Sequence, residues 1–303
     1  MAGVISTGNH PAALWPGVQR WFGAKYSEIP MQYTQAFEIK GSEKAYEEDV
    51  ERTGFGLAPE KAQGAAIEFD SETQGGTKRY THVAYALGYI VTYEELKDNL
   101  YKAKSFNRSE SLAWSMRQTR EVVAANVYNR AFNSSYTGVD GKELLATDHP
   151  TLDGTQSNEL ATAADLSEAS LEDLMVQIMQ AKNSRGLRIA IKPRRLIVPP
   201  ALHFDAIRIV KSAQQNDTSN NAINAIKSSG LLPEGVMTYQ YLTDADAWFV
   251  RTNAPAGMTF IDREKLGFDK DNDFDTKNAK AAAYMRFAAG WTDWRGVYGS
   301  PGA

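Results

Sequence analysis

The clearest pattern in the chain is the alternation at residues 83–91. Val83, Tyr85, Leu87, Tyr89 and Val91 alternate with Ala84, Ala86, Gly88 and Ile90, the two-residue period of a half-buried strand. Upstream, Ile67 and Phe69 alternate before Ser71 to Lys78, where Gly75 and Gly76 offer the permissive backbone of a turn. Residues 46–92 therefore predict a long two-stranded hairpin with a polar, flexible tip. Such a hairpin has too little apolar surface to hold itself rigid and must lean on something else.

The period then changes to that of a helix. Asn107 with Glu110 reads as a capping pair, and Leu112, Met116, Val123, Val127 and Ala131 recur at helical steps, predicting one long helix over 108–133. Arg117, Gln118, Arg120, Glu121, Asn129 and Arg130 fall on the opposite side, a solvated or intersubunit face. The first 45 residues carry Trp15, Trp21, Phe22, Tyr26, Tyr33 and Phe37 among glycines and prolines with no sustained period. They predict an extended arm whose aromatics bury against their own domain or a neighbouring subunit.

After the helix, a polar connection over 133–164 contains Gly138, Gly141, Asp148-His149-Pro150 and Asp153-Gly154 and marks a boundary. Asp165 and Glu168 then cap a helix with Leu171, Leu174, Met175, Ile178 and Met179 on its apolar face, ended by Gly186. A strand at Arg195 to Pro199, a helix over 200–212, a polar loop over 214–221 expected to be mobile, and a strand at Trp248 to Arg251 follow. Strand-like runs at Met258 to Phe268 and Ala281 to Ala288 flank an acidic turn, Asp269 to Asp275. A last aromatic strand covers Trp291 to Tyr298. The fold class is α+β.

Composition narrows the function. The chain has 303 residues, enough for one large domain or two modest ones, with 33 basic against 37 acidic residues and a formal charge of -4. That balance argues against a protein whose main task is gripping nucleic acid, though not against a wall that faces it. The absence of cysteine excludes disulfides, thiolate metal sites and a cysteine nucleophile, and fits an intracellular protein. Met1 to Leu14 lacks the basic head and apolar run of a signal peptide, and no stretch approaches the roughly 18 apolar residues of a membrane helix, so a soluble chain is expected.

No catalytic constellation competes with a structural reading. Asp269, Asp271, Asp273 and Asp275 start like a calcium loop, but Phe274 stands where Gly is needed and Lys280 where Glu is needed. His10, His82, His149 and His203 are too scattered for a metal spacing. There is no phosphate-cradling Gly-Lys-Ser/Thr loop, no Gly-x-Ser-x-Gly and no Ser-x-x-Lys, and no cofactor is expected. Arg185, Arg188, Lys192, Arg194 and Arg195 form the densest basic cluster. No aromatic accompanies it between Asn183 and Val198, which favours solvation or intersubunit pairing over sequence-blind contact with DNA.

Arm, long hairpin, long helix, α/β lobe, late hairpin and short terminal strand together resemble, over the whole chain, the tailed-phage major capsid proteins. The phrases Asn129-Arg130-Ala131-Phe132-Asn133, Leu145-Ala146-Thr147-Asp148-His149-Pro150 and Gly290-Trp291-Thr292-Asp293-Trp294-Arg295-Gly296 are similar to those of the Mu-like head-subunit branch. The resemblance implies an N-terminal arm (1–45), an extended loop hairpin (46–92), and a peripheral domain (93–159) with the spine helix 108–133. It further implies an axial domain (160–255), a peripheral return hairpin (256–290), and an axial closing strand with the C-terminus (291–303). It implies a non-enzymatic subunit that forms hexamers and pentamers of an icosahedral shell around double-stranded DNA and expands on maturation. Its implied partners are its own copies, a scaffolding protein, a portal, a decoration protein and DNA bound without sequence specificity. There is no membrane, and assembly takes place in the host cytoplasm before residence in the virion capsid.

The residues expected at subunit contacts are Trp15, Trp21, Phe22, Lys61, Gly75, Gly76, Lys78, Arg79, Arg117, Arg120, Arg185 and Arg188. Gly75 and Gly76 are expected to let the hairpin bend. Some family members weld neighbours through a lysine of the extended loop, but no asparagine or glutamate here matches the other two roles. Lys61 and Lys78 read as solvated. The alternatives are an encapsulin-like compartment and a soluble enzyme of unrecognised class.

Overall fold

The structure, a computed structural model, describes Phe22, Tyr26 and residues 30–64, 66–94, 101–215, 222–273 and 275–303, without the side chains of 52 and 101–107. Trp15, Trp21 and residues 216–221 of the polar loop lie outside the described residues.

The chain is α+β, as its pattern predicts. A short helix α1 (Tyr33–Ala36) leads into β1 (Glu38–Gly41), and then come β2 (Tyr46–Arg52), β3 (Gln74–Thr81) and β4 (Val83–Val91). The long helix α2 (Tyr101–Asn129) precedes a small hairpin of β5 (His149–Thr151) and β6 (Gly154–Gln156), then α3 (Glu168–Met179) and β7 (Pro193–Val198). Helices α4 (His203–Lys211) and α5 (Ala225–Ser229), then β8 (Val236–Thr238), β9 (Trp248–Thr252), β10 (Met258–Asn272), β11 (Ala279–Trp291) and β12 (Val297–Ser300) complete the order.

Two four-stranded sheets carry the body, one in the order β1-β10-β11-β4 and one in the order β12-β9-β7-β8. β10 and β11 form the long late hairpin, and β11 buries Ala279, Ala281, Ala283, Met285 and Phe287 at every second position. The small side chain of Ala283 lets α2 come close to that face, where it shares a core with Leu112, Ala113 and Met116. The acidic turn between the strands is held by its own charges. Lys280, the residue that disqualified a calcium loop, pairs with Asp273 at 2.7 Å. Trp291, read as opening the last strand, instead closes β11; a 3-10 turn (Trp294–Gly296) separates it from β12.

Helix α2 contains neither Gly nor Pro, so nothing in it interrupts the backbone ladder. It starts before Asn107, which lies inside it, and so the expected cap is not its N-terminus. Its buried face also differs from the expected one. Leu112, Met116 and Ala131 are buried as expected, but Ala113, Arg117, Arg120, Glu121, Ala124, Ala125 and Tyr128 share that burial. Arg117, Arg120 and Glu121 were expected on a solvated or intersubunit face. Each has a partner in a distant part of the chain, which offsets part of the cost of burying a charge. Arg117 donates to the Pro30 carbonyl at 2.9 Å. Arg120 pairs with Asp262, and its guanidinium lies 5.1 Å from the Phe260 ring. Glu121 accepts from the backbone amides of Gln32 at 2.5 Å and Tyr33 at 3.0 Å. The helix thus anchors the segment that leads into β1.

Helix α3 is capped by Ser167 and Ser170 in a reciprocal capping box, not by the predicted Asp165 and Glu168. Its buried Leu171, Leu174, Met175 and Ile178 pack with Leu196, Val198, Trp248 and Val250 of the second sheet into a core of their own. Among the described residues no helix is long and apolar enough to cross a membrane, and no acid or histidine cluster could hold a metal.

Burial raises the Glu121 pKa above its ordinary value of 4.5, against the lowering effect of its hydrogen bonds and of Arg117. The folded chain therefore holds this proton more tightly than the unfolded chain. Stability is lost as pH rises from 4.5 through the raised folded value, and the loss is complete above it. The unfolding free energy of the wild type, measured against Glu121→Gln, should grow as pH is lowered toward 4.5; a difference that shrinks on acidification contradicts this.

Candidate functional site

The candidate site is the arm and the places where it meets the body. β2 pairs with β3, antiparallel from Tyr46↔Thr81 to Arg52↔Gln74, and residues 53–73 between them form the tip. The hairpin is therefore shorter than predicted. β4 belongs to the body sheet, where it pairs with β11, and Ile67 and Phe69 are tip residues rather than strand residues. Gly75 and Gly76 lie in β3, not in a turn. What they provide is close approach. A Cβ on Gly76 would strike the Val139 side chain and come within 2.9 Å of its carbonyl oxygen, while one on Gly75 would lie 3.0 Å from Glu51 atoms.

The arm leans on its own chain through few contacts. Lys78 donates to the Thr137 carbonyl at 3.1 Å with its ammonium 5.0 Å from the Trp291 ring. Burial pulls its pKa below the ordinary lysine value, with Asp140 opposing. Tyr80 is buried and meets Thr292 at 2.6 Å, and Thr292 donates to Asp49 at 3.0 Å. At the tip, Arg185 pairs with Asp70 at 2.8 Å and donates to the Ser71 carbonyl. These contacts leave the tip's apolar residues uncovered: Phe55 is 60% exposed, Ile67 67%, Leu57 81% and Phe69 95%. Four large apolar side chains thus face solvent in one loop.

The other predicted contact residues separate into two groups. Lys61, Arg79 and Arg188 are exposed, Arg79 pairing with Glu48 at 2.7 Å. Phe22, Arg117 and Arg120 are buried within the chain, Phe22 with its ring 4.8 Å from that of Phe268. The basic cluster is largely engaged at home. Besides Arg185, Arg194 pairs with Glu234 at 2.9 Å, and Arg195 with Glu234 at 3.5 Å and the Gln35 carbonyl at 2.8 Å.

The three family-like phrases meet in space. His149 is fully buried, its ring parallel to Trp294 at 4.2 Å, and its nitrogens meet Asp140 Oδ2 at 2.5 Å and Asn158 Oδ1 at 3.0 Å. Asn158 Nδ2 in turn donates to the carbonyls of Leu144 at 2.7 Å and Val297 at 3.0 Å, with a longer bond to Trp294. Asn129 joins the helix end to the second sheet, donating to the Tyr241 carbonyl at 3.1 Å and accepting from the Thr243 amide at 3.0 Å. The Leu145 amide donates to the Ala131 carbonyl at 2.9 Å. A buried histidine beside a carboxylate invites a catalytic reading. Here both ring nitrogens and every Asn158 polar atom are committed to the protein, so the group is a structural knot between the spine helix, the small hairpin and the last strand.

Fold and arm together define a structural protein rather than an enzyme. The phage capsid protein family matches residues 75–300, and the chain belongs to that family. Its structure is similar to that of a virus-like particle from Pyrococcus furiosus, with 10% identity, 94% of this chain and 98% of that chain covered, and a TM-score of 0.53. It is also similar to Mycobacterium phage Patience, with 13% identity, 99% and 90% covered, and a TM-score of 0.54. A third is the procapsid of bacteriophage JBD30, with 14% identity, 96% and 75% covered, and a TM-score of 0.52. At these identities the likeness is one of fold. No curated protein matches the sequence.

Replacing His149 by alanine opens a cavity beside Trp294 and orphans Asp140 and Asn158. It should cost about 2–4 kcal/mol of unfolding free energy in urea titration. A cost below about 1 kcal/mol would mean that the knot does not hold the lobes together.

Proposed function

We propose that this chain is the major capsid subunit of a tailed phage, of the Mu-like branch, and that hexamers and pentamers of it close an icosahedral shell around double-stranded DNA. The single observation that supports this most is the arm tip, whose Phe55, Leu57, Ile67 and Phe69 find no cover among the described residues. A shell supplies that cover from an adjacent copy, at an interface repeated around each capsomer. A formal charge of -4 suits a wall that faces DNA without gripping it. Trp15, Trp21, Lys61, Arg79 and Arg188 are the proposed further contacts between copies.

On this reading 46–92 is the extended loop, although its last strand serves the body, and 160–255 with 291–303 is the axial domain. Scaffolding protein, portal and a decoration protein are its partners, in a precursor assembled in the host cytoplasm. Expansion would turn the arm about its root while the knotted body moves as a unit. The fold shared with a virus-like particle keeps an encapsulin-like compartment as a second reading, which a shell filled with cargo protein instead of DNA would support.

Sedimentation and electron microscopy of the wild type beside a Leu57→Asp, Phe69→Asp variant test the proposal. The wild type should form shells, tubes or capsomers, and the variant should stay dissociated with unchanged circular dichroism. A wild type that never assembles, even with scaffold, overturns the capsid reading, while a variant that assembles normally overturns the role of the tip.

A further inference from the structure

Where the arm joins the body, one sheet face carries two arginines that form no ion pair among the described residues. His82 is the single residue between β3 and β4, hence the root of the arm. It is 4% exposed, and neither ring nitrogen has a hydrogen-bond partner. Buried ring nitrogens without partners are uncommon and call for an explanation.

Strand register places two arginines beside it. Arg286 stands opposite Ala84, on the same face as Ala288 and Tyr80, and its Nε donates to the His82 carbonyl at 3.4 Å. In β10 the register shifts between Asp262 and Glu264, so Arg263 is the extra residue of a bulge, level with Arg286. The Arg263 Nε is likewise buried without an acceptor. Among the described residues neither arginine forms an ion pair. Two acids lie close by: Glu264 stands opposite Arg286 in the register, is exposed and forms no ion pair with it among the described residues, and Glu47 is already taken, accepting from Ser42 at 2.7 Å and Lys44 at 3.3 Å. Burial first, and then the charges of Arg286 and Arg263, hold the His82 pKa below its ordinary value, with Glu47 pulling the other way.

The geometry points to an oxyanion site formed by His82, Arg263 and Arg286 that takes a carboxylate or phosphate group. Guanidinium forks match both groups, and the neutral imidazole adds one N–H donor. A bound oxyanion would fix the arm's root against β10 and β11, so that arm angle and anion occupancy are coupled. The group has two sources, free phosphate or an acidic side chain of a second copy.

Thermal unfolding of the unassembled full chain tests the site, with phosphate replacing chloride at constant ionic strength and acetate in a parallel series. Phosphate should raise the Tm of the wild type. Arg263→Gln and Arg286→Gln should each weaken the apparent affinity about tenfold, and the double variant should lose the response. His82→Phe keeps an aromatic ring without the N–H donor and should show a reduced response. A matching rise with acetate assigns the site to a carboxylate from a second copy, and a response to phosphate alone assigns it to the free ion. The proposal is overturned if neither anion acts on the wild type, or if the double variant responds as the wild type does. None of these outcomes depends on shell formation, so the site can fail while the capsid reading stands.

Discussion

The constraint on which the structure depends is that the described residues of the chain position the arm but do not cover its tip. β2 and β3 alone bury little, and what orders them is a handful of polar anchors: Lys78 on Thr137 and Trp291, Tyr80 and Asp49 on Thr292, Asp70 on Arg185. Polar anchors of this kind set direction while contributing modest stability, roughly 1 kcal/mol each where exposed. The tip's apolar side chains stay in water. On the proposed reading a chain organised this way is incomplete as a monomer, which fits its membership of a capsid family.

The body is built to resist what the arm is built to allow. α2 lies against the β10–β11 hairpin, with Arg120 and Asp262 paired beneath a ring of Tyr33, Phe260 and Phe287. Glu121 grips the backbone that enters β1, and the His149–Asn158 group ties the helix end to the last strand. These are buried, directional contacts that fix one arrangement of the two sheets. The arm, by contrast, is joined to the body by two short links, residues 42–45 between β1 and β2 and His82 between β3 and β4, and by the polar anchors above. On the proposed reading, these short links are where the arm would change its angle to the body.

Much of this was legible in the sequence, for identifiable reasons. The period of two at 83–91 and the runs around the acidic turn gave β4, β10 and β11, because a half-buried strand must alternate. The length of α2 was legible from its apolar steps. Its start and its face were not, because Arg117, Arg120 and Glu121 are buried by partners some 90 residues away. Gly75-Gly76 reads as a turn by local rules, and only the approach of Val139 explains it as strand. The phrases around His149 and Trp294 carried the family resemblance, yet that they touch could not be read from one sequence. His82 was dismissed with the other histidines because its isolation along the chain hides its place at the root of the arm.

Thiol labelling of a Phe69→Cys variant tests the central claim, that another copy covers the arm tip, most directly. The chain has no cysteine of its own, so the label reports one position. The account predicts rapid labelling of the dissociated subunit and strong protection in assembled particles. Equal rates in the two states would place the tip in solvent even in the shell and contradict the account.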